Sequence, residues 1–345
     1  MNARVLTFGE IMLRLSPPNF QRISQARNFD VVYGGAEANV AVSLANFGIP
    51  VDYVTRLPNN EIGRTCIQYL KQFGVNTHKI IRGGERLGIY FLEVGSSVRP
   101  SKVIYDRAFS SFSTAKLIDF DWEMIFSDAN WFHFTGITPA ISQNLADICL
   151  EVVKIAKNKK LIISCDLNYR SNLWKYGKNP IDIMTELVSY CNVVIGNEED
   201  TDKMLGIRAP DIDVASGVLD PEKYRFVVKE MFKQYPNLEK IAITLRGSIS
   251  ASHNTWSAIL YDGKELFIGS QYDIIPIVDR VGGGDSFAAG LIYGLLIYKD
   301  DLQKALNFAI AASCLKHTIM GDFNLISVEE VLKLMSGDIS GRVSR

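Results

Sequence analysis

Between residues 279 and 290 the sequence reads DRVGGGDSFAAG, in which three glycines and an aspartate open a strongly apolar helical segment. Glycine lets the backbone approach a ligand closely, and the amides at the amino end of a helix carry the positive end of its dipole. Such amides suit the charge of a transferring phosphoryl group, with Asp285 beside them. Asp285 alone would be equally typical of a helix cap, but three successive glycines cost backbone entropy and favour a ligand-binding loop.

Two other phosphate-binding motifs do not match. The chain has no Gly-x-x-x-x-Gly-Lys-Ser/Thr sequence, which argues against P-loop chemistry. In the glycine stretch that begins at Gly282, the sixth position is Phe287 rather than glycine, so the dinucleotide fingerprint fails. A nicotinamide-dependent oxidoreductase is therefore disfavoured.

Upstream of this loop, short apolar or β-branched runs alternate with amphipathic helical patterns. Strands alternating with helices predict a mostly parallel sheet covered by helices on both sides, a three-layer α/β/α fold. The predicted strands are residues 5–8, 51–55, 131–134, 161–165, 193–195 and 241–245.

Two stretches, residues 10–33 and 87–109, carry strand-like residues without intervening helices. We expect them to form hairpins that pair as a small β-lid, discontinuous in sequence, over the carboxyl ends of the parallel strands. Because exposed strand edges are commonly covered by a partner, this lid predicts a homo-oligomer. The predicted division is a core of residues 1–9, 34–86 and 110–336, a lid of residues 10–33 and 87–109, and a tail of residues 337–345, with a polar surface insertion at residues 208–220.

Composition is that of a soluble globular protein. The 345 residues are 47% hydrophobic and 22% charged, and the formal net charge is −1. No global field would draw such a chain to nucleic acid or to an anionic membrane. The amino terminus lacks the apolar region of a signal peptide, so we expect a cytoplasmic protein. Its five cysteines and four histidines are scattered and predict neither a disulfide framework nor a zinc site.

Three further polar segments adjoin predicted strands or helices. Residues 34–39 read GGAEAN and open a helix, where they could bind a polyol or simply form a tight turn. Residues 166–170 read DLNYR and residues 197–200 read NEED, and each follows a predicted strand at the carboxyl edge of the sheet. The acidic group could hold hydrated Mg²⁺ through water, or it could be the ordinary acidic first turn of a helix.

The order and spacing of these motifs resemble the ribokinase (PfkB) family of carbohydrate kinases from about residue 4 to about residue 334. Within that family, the chain is most similar to the 2-keto-3-deoxygluconate kinases. The segments that carry the resemblance are residues 34–41, 134–140, 166–170, 279–285 and 316–324.

The resemblance implies a kinase that uses ATP and Mg²⁺, with Asp285 as general base and the amides of Gly282, Gly283 and Gly284 facing the transferring group. A monovalent cation requirement stays open. The implied substrate residues are Gly34, Gly35, Asn39, Tyr90, Tyr105, Arg107, Arg170 and Asp285. The implied nucleotide residues are Asn197, Thr244, Arg246, Gly247, Gly282, Gly284, Asn307 and Ala311, and Asp200 or Glu199 would hold Mg²⁺ through water.

Arginine is the residue that suggests the substrate. A neutral sugar needs no guanidinium, whereas a sugar acid presents a carboxylate that Arg107 and Arg170 can bind with parallel hydrogen bonds. Together with the resemblance to the 2-keto-3-deoxygluconate kinases, this implies transfer to the terminal hydroxyl of 2-keto-3-deoxygluconate. A kinase for fructose or ribose, and a non-catalytic sugar-binding protein of the same fold, remain as alternatives.

The chain departs from the family pattern at three places. It has Asn-Glu-Glu-Asp at residues 197–200 where the family has Asn-x-x-Glu, so the acid linked to magnesium is shorter by one methylene or moves to a neighbour. Met320 stands where the subgroup has proline, and residues 208–224 and 248–256 lengthen the nucleotide side. These departures leave metal affinity and nucleotide preference open. The sequence also leaves open the gluco or galacto configuration of the substrate and the oligomeric state.

Overall fold

The computed structural model describes residues 3–208 and 224–338, and its strands and helices alternate through most of the chain. The strands are β1 (Val5–Phe8), β2 (Met12–Ser16), β3 (Asp30–Gly34), β4 (Val51–Val54), β5 (Arg56–Leu57), β6 (Ile81–Arg82), β7 (Gly88–Glu93), β8 (Lys102–Asp106), β9 (Trp131–Thr135), β10 (Ile162–Asp166), β11 (Val193–Gly196), β12 (Lys240–Ser250), β13 (His253–Tyr261), β14 (Leu266–Ile268) and β15 (Tyr272–Ile274). The helices are α1 (Ala36–Asn46), α2 (Glu61–Lys71), α3 (Trp122–Ile125), α4 (Ile137–Ile141), α5 (Gln143–Asn158), α6 (Pro180–Val188), α7 (Glu198–Leu205), α8 (Tyr224–Gln234), α9 (Gly283–Ile297), α10 (Leu302–Lys316) and α11 (Val328–Met335).

The main sheet has the order β14-β13-β12-β11-β10-β9-β1-β4, with β15 also paired to β13. Neighbours from β4 to β12 run parallel, and β13 and β14 are antiparallel. The six predicted strands are all present, so the mostly parallel sheet is confirmed. The prediction for residues 241–245 was too short, because β12 continues through Arg246 and Gly247 and turns back into β13.

Two apolar cores lie on opposite faces of this sheet. One collects the buried side chains of α1, α2, α9 and α10, and the other those of α3, α5, α6, α7 and α8. Helix α9 packs closely against α10, since a side-chain carbon on Gly290 would lie 2.8 Å from the Cα of Ala309. Gly294 approaches Ala305 in the same way, with 2.7 Å to its Cα. These contacts fix the direction of α9, whose amino end carries the glycine loop.

A second sheet of four strands, in the order β3-β2-β7-β8, is built from both predicted excursions. The two hairpins, β2–β3 and β7–β8, are antiparallel, and the parallel pairing of β2 with β7 joins them. The turn of the second hairpin touches the β12–β13 turn, where the amide of Ala251 donates to the Ser97 carbonyl at 2.8 Å. The division of the chain into core, lid and tail stays a prediction.

Arg14 on β2 joins the second sheet to the rest of the molecule. Its guanidinium is almost fully buried and bonds Asp279 at 2.6 Å and Asp322 at 2.8 Å. Burial alone would lower the pKa of Arg14, but the two carboxylates outweigh it and raise that pKa. Tyr90 of β7 donates its hydroxyl to the other oxygen of Asp322. Removing one member of a buried ion pair typically costs 3–5 kcal/mol, roughly, so this cluster holds the two sheets in one arrangement.

Two sequence features fall wholly or partly outside the described residues. The predicted insertion at residues 208–220 lies outside them except for Arg208, and the tail lies outside them after Asp338. No helix in the described part of the chain is long and apolar enough to cross a membrane.

Candidate active site

A cavity of about 900 Å³ opens between the carboxyl ends of β10, β11 and β12, the amino end of α9 and the second sheet. This is the edge at which open α/β sheets bind ligands. The predicted residues that line it are Gly35, Asn39, Tyr90, Tyr105, Arg107, Arg170, Asn197, Glu199, Asp200, Thr244, Arg246, Gly282, Gly283, Gly284 and Asp285.

The three glycines of the loop serve different purposes. Gly282 has a φ of 83°, a left-handed conformation that favours glycine, and a side chain there would collide with the carbonyl oxygen of Asp322. A side-chain carbon on Gly283 would lie 2.7 Å from Cε1 of His317. At Gly284 no described atom lies within 4 Å of the same position, apart from the two chain neighbours and the backbone of α9 itself. The first two glycines are therefore needed for packing within the protein, and the third leaves space for a ligand.

The amides of this loop are only partly used. The Gly283 amide donates to the Arg280 carbonyl at a long 3.3 Å. Among the described residues, the amides of Gly284 and Asp285 have no hydrogen-bond acceptor. Amides at the first turn of α9 therefore remain available to an anion.

Asp285 is buried at the start of α9 and is held by one side chain. Nδ2 of Asn39 donates to Oδ2 of Asp285 at 2.6 Å, while Oδ1 of Asn39 accepts the Gly35 amide at 3.3 Å. Burial raises the pKa of Asp285 to about 6, although the Asn39 hydrogen bond and the charge of Arg170 oppose the rise. A carboxylate with this pKa is ionised at neutral pH and can accept a proton with a useful driving force.

The two glycines before α1 are explained by close approach. A side chain on Gly35 would collide with the backbone oxygen of Glu10, and one on Gly34 would collide with the carboxylate of Asp322. Gly35 lines the cavity, whereas Gly34 is not among its described lining residues. Their close contacts bring the amino end of α1, and with it Asn39, against Asp285.

The two arginines predicted to bind the substrate, Arg107 and Arg170, have different partners. Arg107, at the end of β8, donates from Nε to Oε2 of Glu10 at 2.8 Å and also from Nη2 to the same oxygen. Arg170 is exposed, donates to the Tyr169 carbonyl at 2.9 Å, and has no carboxylate within ion-pair distance in the described part of the chain. Arg170 is therefore the cation with more of its charge open to a ligand.

The acidic segment at residues 197–200 is largely a helix cap. Asp200 accepts the amides of Asn197 at 2.9 Å and Tyr169 at 2.8 Å, one on each carboxylate oxygen. Burial raises the pKa of Asp200 to about 6 despite those two bonds. Glu199 is exposed at the cavity wall.

The described residues contain no cluster of three acidic, histidine or cysteine side chains arranged to hold a metal. Asp166, Asp200 and Glu199 line one side of the cavity. Burial, and then the neighbouring charges of Asp200 and Asp285, raise the pKa of Asp166. This set suits Mg²⁺ that keeps most of its waters and binds mainly through substrate phosphates.

A family model describing the PfkB carbohydrate kinases matches residues 2–325. The chain belongs to this family. The three-layer fold predicted from the sequence is confirmed, and the protein is a carbohydrate kinase.

Relatives with related names match nearly the whole chain. A solved structure titled 2-dehydro-3-deoxygluconokinase, from Thermotoga maritima, is 50% identical with a TM-score of 0.92, over 98% of this chain and 99% of that one. A 2-dehydro-3-deoxygalactonokinase of Haloferax volcanii is 30% identical over 99% of both chains. A 2-dehydro-3-deoxygluconokinase of Bacillus subtilis is 27% identical over 88% of this chain and 87% of its own. The names differ in the configuration of the sugar acid.

Some predicted ligand residues lie outside the cavity. Gly34, Gly247, Asn307 and Ala311 are not among its described lining residues. Oδ1 of Asn307 accepts the Ser270 amide at 3.1 Å, and Ala311 is fully buried. Their roles in nucleotide or substrate binding stay predictions.

The structure also adds residues that sequence reasoning missed. Trp256 lines the cavity and is paired with Arg246 across the β12–β13 hairpin. Glu10 and Asp322 also line the cavity. A longer strand prediction at residues 240–250 would have found Trp256, but nothing local in the sequence marks Glu10 as a partner of Arg107.

We expect kcat/KM for the sugar substrate to fall as the pH drops through about 6, because Asp285 must be ionised to accept a proton. Asn39→Ala removes a hydrogen bond that lowers the pKa of Asp285, so this acid limb should move to higher pH. The pH dependence of kcat/KM for the wild type and for Asn39→Ala measures both the acid limb and its shift. A wild-type profile that stays flat down to pH 5 would contradict the role of Asp285.

Gly284→Ala should fold normally and lose turnover. The added methyl meets no described atom and alanine favours helix, so the melting temperature should hold or rise slightly. If the transferring group lies against the loop as we expect, the methyl occupies space that this group needs, so kcat/KM should fall at least about tenfold. Gly283→Ala is the matched control, because its methyl meets His317 and should lower the melting temperature. Full activity of Gly284→Ala would show that no ligand approaches this position.

Proposed function

We propose that the protein transfers the γ-phosphate of ATP to the terminal hydroxyl of 2-keto-3-deoxygluconate (2-dehydro-3-deoxygluconate), giving 2-keto-3-deoxy-6-phosphogluconate. The observation that carries the proposal is the presence of Arg107 and Arg170 in the same cavity as Asp285. A base next to free helix amides suits phosphoryl transfer, and guanidinium groups suit a substrate that carries a carboxylate. The names of the relatives in Thermotoga maritima and Bacillus subtilis agree with this substrate.

In the proposed reaction, Asp285 accepts the proton of the terminal hydroxyl. The hydroxyl oxygen forms a bond to the γ-phosphorus as the bond from that phosphorus to the bridging oxygen breaks, and ADP leaves. The amides of Gly284 and Asp285 donate to the transferring group. Bound Mg²⁺ would neutralise charge on the β- and γ-phosphates.

The chain's own residues suit the two ends of this reaction. Thr244, Arg246 and Trp256 line the cavity from the β12–β13 hairpin, and we assign this side to the nucleotide. Tyr90, Tyr105 and Arg107 come from the second sheet, and we assign that side to the sugar acid. The Tyr90 hydroxyl already donates to Asp322, so we expect its ring rather than its hydroxyl to contact the sugar.

A kinase for a neutral sugar such as fructose or ribose is the second candidate. Its cavity would need no unpaired cation at the substrate end. Arg170, which has no carboxylate partner within the described residues, therefore favours the sugar acid. The relative from Haloferax volcanii is named for the galacto acid. Both the gluco and the galacto epimer therefore have to be assayed to determine which one this protein prefers.

We expect wild-type protein with Mg-ATP to release ADP with 2-keto-3-deoxygluconate or its galacto epimer, and not with gluconate, fructose or ribose.

Asp285→Asn should lower kcat by about 10²- to 10⁴-fold, the usual contribution of a general base. Arg170→Met should raise KM for the acid by about 10- to 150-fold, which corresponds to 1.5–3 kcal/mol for a charged hydrogen bond. A coupled ADP assay measures all three. Turnover with fructose or ribose alone would keep the kinase and refute the sugar acid.

We also propose that two copies associate through the second sheet. Strand β8 is an edge strand whose residues are all exposed, including Val103, Ile104 and Tyr105. An exposed apolar edge strand is a ready site for pairing with an identical strand.

Ile104→Arg should give monomers in light scattering at a concentration where wild type is a dimer or larger. Ile118→Arg, exposed but outside this sheet, is the matched control. A monomeric wild type would refute the proposal.

A further inference from the structure

Glu10 has no role in the chemistry above, yet it lies in the cavity wall with its carboxylate almost fully buried. It follows β1 and precedes β2, so it belongs to the link between the main sheet and the second sheet. Its Oε2 accepts both Nε and Nη2 of Arg107, with 2.8 Å to Nε. Its Oε1 accepts the hydroxyl of Ser110. Both oxygens of Glu10 are therefore occupied by protein groups.

The way Glu10 binds Arg107 determines what the guanidinium can still offer. A guanidinium has five N–H donors in a rigid fork. Glu10 takes the side edge, formed by Nε and one hydrogen of Nη2. The end edge, formed by Nη1 and the other hydrogen of Nη2, stays free for a second carboxylate. In the described part of the chain, no side chain or carbonyl accepts a bond from Nη1.

The neighbouring residues leave space for this pair and restrict it. A side-chain carbon on Gly88 would lie 2.9 Å from Oε1 of Glu10 and 3.4 Å from Cβ of Arg107, so the absence of a side chain there lets the pair form. The Arg107 guanidinium also lies 5.6 Å from the centre of the Tyr105 ring. With one edge bonded and one face near an aromatic ring, the guanidinium has a defined plane before substrate arrives.

We propose that Glu10 is a positioning residue that holds the side edge of Arg107 and thereby aims its end edge at the substrate carboxylate. The inference rests on the proposed function, because it assumes that the substrate is an acid. It also explains why an arginine that already has a carboxylate partner can serve a second one. A buried guanidinium held in one orientation loses less side-chain entropy when the substrate binds.

Two conservative variants separate position from charge. Glu10→Asp keeps the negative charge but is one methylene shorter, so it cannot hold both Arg107 and Ser110 as Glu10 does. Glu10→Gln loses the charge but keeps a carbonyl oxygen that can accept from Nε and Nη2. We expect Glu10→Asp to raise KM for the sugar acid at least fivefold, and Glu10→Gln to stay within threefold of wild type. In both variants kcat and KM for ATP should stay within twofold.

Asp106→Ala is the matched control. Asp106 is the last residue of β8, directly before Arg107, and forms an exposed ion pair with Arg86, so the variant removes a carboxylate at the same strand end and leaves the Arg107 side chain unchanged. Its KM for the sugar acid should match wild type. In an Arg107→Ala background, Glu10→Asp should have no further effect on KM, because Glu10 acts through Arg107.

The outcomes distinguish this inference from its rivals. If Glu10→Asp lowers KM, Glu10 masks the charge of Arg107 and the inference is overturned. If Glu10→Asp raises KM equally in the Arg107→Ala background, or impairs kcat and both KM values together, Glu10 has a general structural role and the inference is again overturned. A wild type that phosphorylates only neutral sugars refutes the proposed function itself, and it removes the carboxylate on which the inference depends. If the wild type phosphorylates the sugar acid but the Glu10 variants do not give the expected KM values, the inference is refuted and the proposed function stands.

Discussion

The buried guanidinium of Arg14 is the constraint on which the site depends. It joins β2 to two separate loops through Asp279 and Asp322. The second oxygen of Asp279 accepts the Val281 amide at 3.0 Å, which shapes the glycine loop. The backbone of Asp322 in turn lies so close to Gly282 that only glycine can occupy that position. An unpaired charge in this environment is costly. The Arg14 cluster therefore holds three parts of the molecule together as one unit: the glycine loop, the loop that contains Asp322, and the second sheet.

Three buried carboxyls and one arginine determine the charge of the cavity near the amino end of α9. Asp285 sits at the positive end of α9, and Asp166 and Asp200 are close enough for their charges to affect one another. Burial raises the pKa of all three carboxyls, and Arg170 opposes that rise in each case. A cation among buried acids can both keep Asp285 ionised and attract an anionic ligand. Arg107 lies on the other wall, where Glu10 balances its charge.

Much of this arrangement was predictable from the sequence because it depends on local patterns. Alternating strands and helices predicted the parallel sheet, and GGGD at residues 282–285 predicted the amino end of α9, where Asp285 lies. The long-range partners were not predictable in the same way. Nothing near Arg14 indicates that it meets residues 265 and 308 positions later in the chain, and the pairing of Glu10 with Arg107 spans 97 positions. The extension of β12 was missed because Arg246 and Gly247 resemble a turn, although their hydrogen bonds continue the strand.

We propose that one cavity brings a sugar acid to Asp285 with its carboxylate on Arg107 and Arg170. A crystal structure with Mg²⁺, a non-hydrolysable ATP analogue and 2-keto-3-deoxygluconate tests it most directly. We expect the terminal hydroxyl within about 3 Å of the Asp285 carboxylate and the γ-phosphate against the amides of Gly284 and Asp285. We also expect the substrate carboxylate on Arg170 and on the free edge of Arg107. A sugar acid bound in the reverse direction, or with its carboxylate in contact with neither arginine, would contradict the account.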